Sequence, residues 1–462
     1  MAVHDDLEVS AALEGMRPGA IDAALVALSL ACAGIYLVKG VGFVLDDWYW
    51  LRNAALDGAW HAAGSTGGDR PVGALVYIAL FGGIGMHPGV IVTVLALVNG
   101  ATAVLLRRLF VRLFSPSVGL VAAGLWLVLP LRTSLEIWMS TGTAALAQLL
   151  AVGGLLLLAA KEISWRRAAI ALGLIVLGVL SYESVGVLAI PVALAIRWAM
   201  SRRVELRLMS AIVVVPAVAL GWAFTHRLGG RHAIGGIRNP VPVLDANFGA
   251  GIAPGEVLAA VTLCAAVVGS VVVARAALRD GKIRPAAAAL AIGWVIAVGG
   301  VAPYLTYFYS PYGAGDRLNM LSAFGAVLVW AGLFVTLAHW RPQVAYAALT
   351  VLVVLGLGAR LDRSEHWSRA GLDGGRVVAD IVAEHPEPDR PIMVGPERII
   401  VENVATFYDH SNIDAALQLA YGTRAVTGVL SYSEEEFESM DPDEFILYDQ
   451  RPLSTLDELA DR

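Results

Sequence analysis

Cysteine is nearly missing from this chain: Cys32 and Cys264 are the two in 462 residues, and both stand in apolar runs. That excludes a disulfide framework and a cysteine-based zinc site, and both thiols read as buried packing residues. Lysine is almost as rare, at positions 39, 161 and 282, while arginine is common. Charge of any kind is scarce, at 16% of residues, where a soluble domain carries about 25%. No basic patch the size of a groove is present, which argues against a nucleic-acid partner.

Apolar residues are abundant, at 57%. Water would not tolerate that much apolar surface, and a bilayer accepts it when the backbone is satisfied inside helices. The sequence therefore predicts an all-α polytopic membrane protein followed by a small α/β unit. A span needs about 20 apolar residues, which gives about 11 spans. They fall near 20–38, 88–106, 117–131, 142–160, 168–181, 185–200, 208–226, 255–278, 285–303, 319–338 and 343–360. The polar, acidic N-terminus carries no cleavage site after the first run, which reads as a retained helix.

The stretch 71–85 is short, rich in glycine and closed by Gly85-Met86-His87-Pro88. If it crossed, Arg107, Arg108 and Arg112 would face outward, against the positive-inside rule. Lying along the interface, it leaves those arginines in the cytoplasm together with Lys161, Arg166, Arg167, Arg202, Arg203, Arg207, Arg279, Lys282, Arg284 and Arg341. The N-terminus is then cytoplasmic, and residues 361–462 lie outside. The expected division is a transmembrane domain over 1–360, with a first outer loop at 39–87, and an acidic extracytoplasmic α/β domain over 361–462. In the latter, 367–385 and 413–421 read as helices, and 391–395 and 444–448 as strands. It contains no G-x-G-x-x-G, P-loop or H-E-x-x-H pattern.

The polar residues of interest gather on the outer side. After the first span comes Gly42-Phe43-Val44-Leu45-Asp46-Asp47-Trp48-Tyr49-Trp50-Leu51-Arg52-Asn53. Trp48 and its aromatic neighbours suit an interface. A carboxylate near hydrocarbon is costly unless paired or hydrated, and its raised proton affinity suits a general base. The alternative is a solvated loop with an N-capping aspartate. Arg70 is a phosphate grip or a snorkelling side chain. Glu136 lies in the second outer loop. Tyr182 and Glu183 are squeezed between two spans, where Glu183 is a functional carboxylate or a helix-start charge. Arg317, beside Asp316 and just before a span, suits a lipid phosphate or an ion pair. His61 and His87 read as structural or interfacial.

Together these residues resemble the GT-C superfamily of membrane glycosyltransferases, which includes protein O-mannosyltransferases and bacterial aminoarabinose and arabinofuranosyl transferases. Phe43-x-x-Asp46-Asp47 matches the acidic pair that the family carries after its first span. Arg70-Pro71-Val-Gly-Ala-Leu is similar to its interfacial segment. The resemblance runs to about residue 340, on short motifs. It implies transfer of a sugar from a polyprenyl-phosphate donor to a glycan, lipid or protein acceptor outside the cell's inner (plasma) membrane, in an inverting reaction with Asp46 as base. Asp47 would orient the acceptor or share a divalent cation with Asp46. Arg317 and Arg70 would hold the donor phosphate, and Glu183, Glu136, Tyr182 and Trp48 would line the substrate site. No cofactor is certain. The arginine-for-lysine bias points to a bacterium. A transporter or flippase of a lipid-linked glycan is the alternative, but no paired repeat with broken helices is visible.

Overall fold

The computed structural model describes residues 17–64, 70–200, 206–228, 241–249, 252–253, 256–300, 319–395, 400–401, 404–407 and 409–449. Among these, a helix lies at each of the expected spans: α1 (Pro18–Lys39), α5 (Pro88–Leu113), α6 (Pro116–Val128), α8 (Gly142–Leu158), α9 (Trp165–Ser181), α10 (Ser184–Met200), α11 (Leu206–Leu228), α13 (Glu256–Ala277), α14 (Arg284–Gly299), α15 (Met320–Trp340) and α16 (Pro342–Glu384). Between them lie α2 (Asp46–Arg52), α3 (Ala59–Gly64), α4 (Pro71–Tyr77), α7 (Ser134–Ile137) and α12 (Val241–Phe248). Proline opens α1, α4, α5, α6 and α16 within their first turns, where its missing N–H costs nothing. Among the described residues, eight helices are long and apolar enough to cross a membrane.

α6 has 13 residues, about 20 Å of rise, which is short of the roughly 30 Å of hydrocarbon. The chain after it is irregular, yet every residue from Leu125 to Ala145 is buried. Irregular backbone is tolerated at such depth only inside protein. The second outer loop is thus a plug rather than the solvated loop its polar residues suggest.

α4 continues as a π-helical turn, Ile78–Ile84. A Cβ on Gly73 would meet the Ser181 carbonyl and Thr143, the Tyr77 hydroxyl donates to the Ser140 carbonyl at 3.2 Å, and Leu80 lies against Gly142. Successive turns therefore meet residues at the same ends of α8 and α9. A helix that crossed alongside them would meet successive levels instead, so α4 runs over their ends. It stops at Gly85, whose φ of 66° is a backbone state that costs glycine nothing.

α16 has 43 residues, about 65 Å long and twice the hydrocarbon thickness. It leaves the membrane unbroken and carries the C-terminal unit. The boundary expected at 360/361 falls inside this helix. Beyond it come β1 (Ile392–Gly395), β2 (Ile400–Val401), β3 (Val404–Ala405), α17 (His410–Tyr421), β4 (Gly428–Leu430), α18 (Glu434–Glu438) and β5 (Ile446–Asp449). β4, β1 and β5 form a parallel sheet in that order, and β2 pairs with β3 antiparallel. β1 is buried along its whole length, as expected of the central strand of a parallel sheet. The strands and helix expected at 391–395, 413–421 and 444–448 are found within a few residues of those positions.

One apolar core joins this unit to the first outer loop. Phe43, Trp48 and Leu51, then Tyr77 and Phe81, pack with Trp367, Val377 and Ile381 of α16 and with Phe407, Ile413 and Leu417. A second core lies among the membrane helices around Trp126, Leu127 and Val327.

Candidate active site

The site is built on a turn. Val44 accepts a hydrogen bond from the Asp47 amide at 3.0 Å, and Leu45 between them has φ 52° and ψ −128°. These are the dihedrals of the first central position of a type II′ turn, a place for glycine. A buried leucine held there costs about 1–3 kcal/mol and persists only when its surroundings impose it. They do: Leu45 is 3% exposed, and its N–H donates to the Thr406 carbonyl at 3.0 Å.

The turn separates the two aspartates. Asp46 opens the first turn of α2 and is exposed. Asp47, one residue and about 100° further round the helix, is fully buried. Its Oδ1 accepts from the Ser140 amide at 2.8 Å and the Ser140 hydroxyl at 2.5 Å, and its Oδ2 accepts from the Val44 amide at 3.3 Å. Burial pushes the Asp47 carboxyl up to about 7; the three hydrogen bonds oppose that rise, and the charge of Asp46 adds to it.

Tyr77 stands at the centre of the cluster. It stacks on Trp50 with ring centroids 4.0 Å apart. Burial pushes its phenol up to about 12, while the charge of Arg70 pulls it down and that of Asp46 pushes it up. Arg70 and Glu183 form a two-pronged pair: Nε to Oε2 at 2.8 Å and Nη2 to Oε1 at 2.9 Å. Arg70 also lies 4.5 Å from the Tyr182 ring centroid. Three loops therefore converge on Arg70 and α4, through Trp50 beside the aspartates, through Ser140, and through Tyr182 and Glu183.

Not all the residues singled out in the sequence join this cluster. Trp48 is 5% exposed and packs between Phe43 and Phe407, turned toward the C-terminal unit. Glu136 is gripped by two arginines: Arg360 Nη1 bonds its Oε2, and Arg132 Nη2 lies 3.3 Å from its Oε1. The same arginines cap the end of α6, with Arg360 donating to the carbonyl of Leu127 and Arg132 to that of Trp126. His61 and His87 are exposed. Arg317 lies outside the described residues. No group of three or more His, Cys, Asp or Glu side chains converges on a metal-sized site among the described residues.

Ser140, Tyr77, Arg360 and Thr406 were not singled out in the sequence. A tyrosine in an otherwise apolar interfacial helix was a usable signal for Tyr77. Thr406 acts through its backbone carbonyl, which leaves no trace in sequence.

No family model matches the chain, and no curated protein does. Solved structures do. The chain is similar to ArnT from Cupriavidus metallidurans, at 13% identity and a TM-score of 0.49, with 92% of this chain and 88% of that one covered. It is also similar to the oligosaccharyltransferase of Archaeoglobus fulgidus solved with zinc and sulfate, at 11% identity and a TM-score of 0.44. There 88% of this chain is covered, and it spans 62% of the length of that protein.

Proposed function

We propose that the protein is an inverting glycosyltransferase that moves a sugar from a polyprenyl-phosphate donor to a glycan, lipid or protein acceptor on the outer face of the bacterial inner membrane. The observation that carries this reading is the division of labour between adjacent carboxylates: Asp47 is buried and anchored, and Asp46 is presented to solvent by a turn imposed from outside. Asp46 takes the proton of an acceptor hydroxyl. The acceptor oxygen bonds to the anomeric carbon, and the bond from that carbon to the phosphate oxygen breaks. The sugar is inverted and polyprenyl phosphate leaves. Asp47 positions Asp46. Tyr182 and the Arg70–Glu183 pair form a wall of the acceptor side.

The burial of Asp47, with its oxygens turned to Ser140 and Val44, argues against a cation shared by the two aspartates. The commitment of Arg70 to Glu183 leaves Arg317 as the proposed partner of the departing phosphate. The arginine-rich loops support a cytoplasmic N-terminus and an outward-facing C-terminal unit.

The test uses purified protein in detergent, radiolabelled polyprenyl-phosphate sugars and an envelope glycan extract. Asp46→Asn is expected to lower transfer by about 10²- to 10⁴-fold with an unchanged size-exclusion profile. Full activity in Asp46→Asn would overturn the base assignment. A wild type that releases no sugar from any donor while moving labelled lipid across vesicles would replace transfer by transport.

A further inference from the structure

The segment that leads into the Asp46 turn lies along one face of α16. Lys39 donates from Nζ to the Leu361 carbonyl at 2.9 Å and to Glu365 Oε2 at 3.2 Å. The Ser368 hydroxyl lies 2.7 Å from the Lys39 carbonyl and 2.6 Å from that of Gly40. At Gly42 the two backbones touch: a Cβ there would fall 2.2 Å from the Gly371 carbonyl oxygen, and one on Gly371 would fall 2.8 Å from Gly42 Cα. A Cβ on Gly374 would meet Thr406 Cγ2 and the Phe43 carbonyl. Positions 361, 365, 368, 371 and 374 recur every three or four residues, which is one stripe of a helix.

The contact continues past the turn. Leu45 is held by Thr406. Arg52 donates from Nη1 to Gln418 Oε1 at 2.8 Å, and Arg424 bonds both Asp57 and Asn53. The first loop thus meets α16 beyond residue 360, or the chain that follows it, at Lys39, Gly40, Gly42, Leu45, Arg52, Asn53 and Asp57.

We infer that the outer half of α16 and the chain at Thr406 are a template that fixes the Val44–Asp47 turn, with Ser368 and Gly371 as positioning residues for Asp46. The C-terminal unit is then part of the catalytic apparatus rather than an appended module. The catalytic consequence rests on the glycosyl-transfer reading above; the template itself does not.

The test measures amide hydrogen exchange and steady-state kinetics on the full-length protein in detergent. In the wild type the hydrogen-bonded amides of Leu45 and Asp47 are expected to exchange slowly. Gly371→Ala drives a methyl group into the Gly42 backbone, and exchange in 41–47 is expected to rise at least tenfold while that of 88–113 is unchanged. Turnover should fall on kcat by about 10²-fold, as misplacement of a reacting group by about 1 Å does, with KM within about twofold. Ser368→Ala, which removes one hydroxyl, is the milder variant should Gly371→Ala not fold. It should show the same split at about tenfold. Unchanged exchange in 41–47 for a folded variant would overturn the template. Raised exchange with unchanged kcat would overturn its positioning role. Raised exchange in a protein that turns over no donor would uphold the template and remove the glycosyl-transfer reading.

Discussion

Ser140 holds Asp47 from the opposite outer loop, with its amide and its hydroxyl on one carboxylate oxygen, while Val44 holds the other. Three donors face a carboxylate that is wholly out of water. Asp47→Asn replaces one accepting oxygen by an NH2 group that must face an N–H or an O–H. A buried donor left without an acceptor costs about 1–3 kcal/mol. Asp47→Asn is therefore expected to lower Tm in detergent and to loosen the first loop. Asp46→Asn, at an exposed site, should change stability by less than about 0.5 kcal/mol. Equal Tm values for the two variants would overturn the anchoring role of Asp47.

The raised proton affinity of Asp47 gives its folding a pH signature. Burial pushes the folded carboxyl up to about 7, against an ordinary value of 3.8. Between these values the folded state binds more protons than the unfolded state, so stability falls as pH rises. This contribution is fully present below about pH 4, is lost as pH rises through about 7, and is flat above that. Tm measured from pH 4 to 8 should fall less steeply for Asp47→Asn than for the wild type. Parallel curves would mean that Asp47 does not titrate in this window.

Arg70 and Glu183 lie 113 residues apart in the chain and meet with little water around them, with side-chain exposures of 16% and 3%. Removing either charge breaks the two-pronged pair in this buried setting. Glu183→Gln and Arg70→Gln are each expected to cost about 3 kcal/mol. The double variant should cost much less than their sum, because the pair is lost only once. Denaturant titration of the four proteins measures this coupling. Additive losses would mean that the pair does not form in the working protein, and would return Arg70 to the list of phosphate partners.

The membrane helices were legible because each is a local property, an apolar run along the chain. The short helix α4 was legible as a separate element because Gly85-Met86-His87-Pro88 closes it before α5 begins. The site was legible only in part. Asp46 and Asp47 are neighbours of the same type, and what distinguishes them is Ser140, 93 residues later. Glu136 is separated from Arg360 by 224 residues, so its ion pairs leave no local pattern. The loop between α6 and α8 is polar yet buried, because its polar groups bond one another and the end of α6. The expected domain boundary at 360/361 followed the end of the apolar run. The helix itself continues, because the outer half of α16 finds a new apolar partner in the C-terminal unit.

Glu136 gives the sharpest contrast between bracing and substrate binding. Its carboxylate lies between Arg132 and Arg360, whose side chains are 1% and 2% exposed. Glu136→Gln keeps the shape and removes the negative charge between two buried guanidinium groups. Breaking a buried ion pair in this way costs about 3–5 kcal/mol. The carbonyls that the arginines cap at the end of α6 then depend on side chains that repel one another. The expected outcome is a large loss of stability with KM for the lipid-linked sugar unchanged in the fraction that folds. Glu136→Asp, which keeps the charge, should recover most of the stability. A several-fold rise in KM without loss of stability would instead put Glu136 in contact with substrate. It would require the arginine cluster to open in the working enzyme, and with it the point where α16 leaves the membrane.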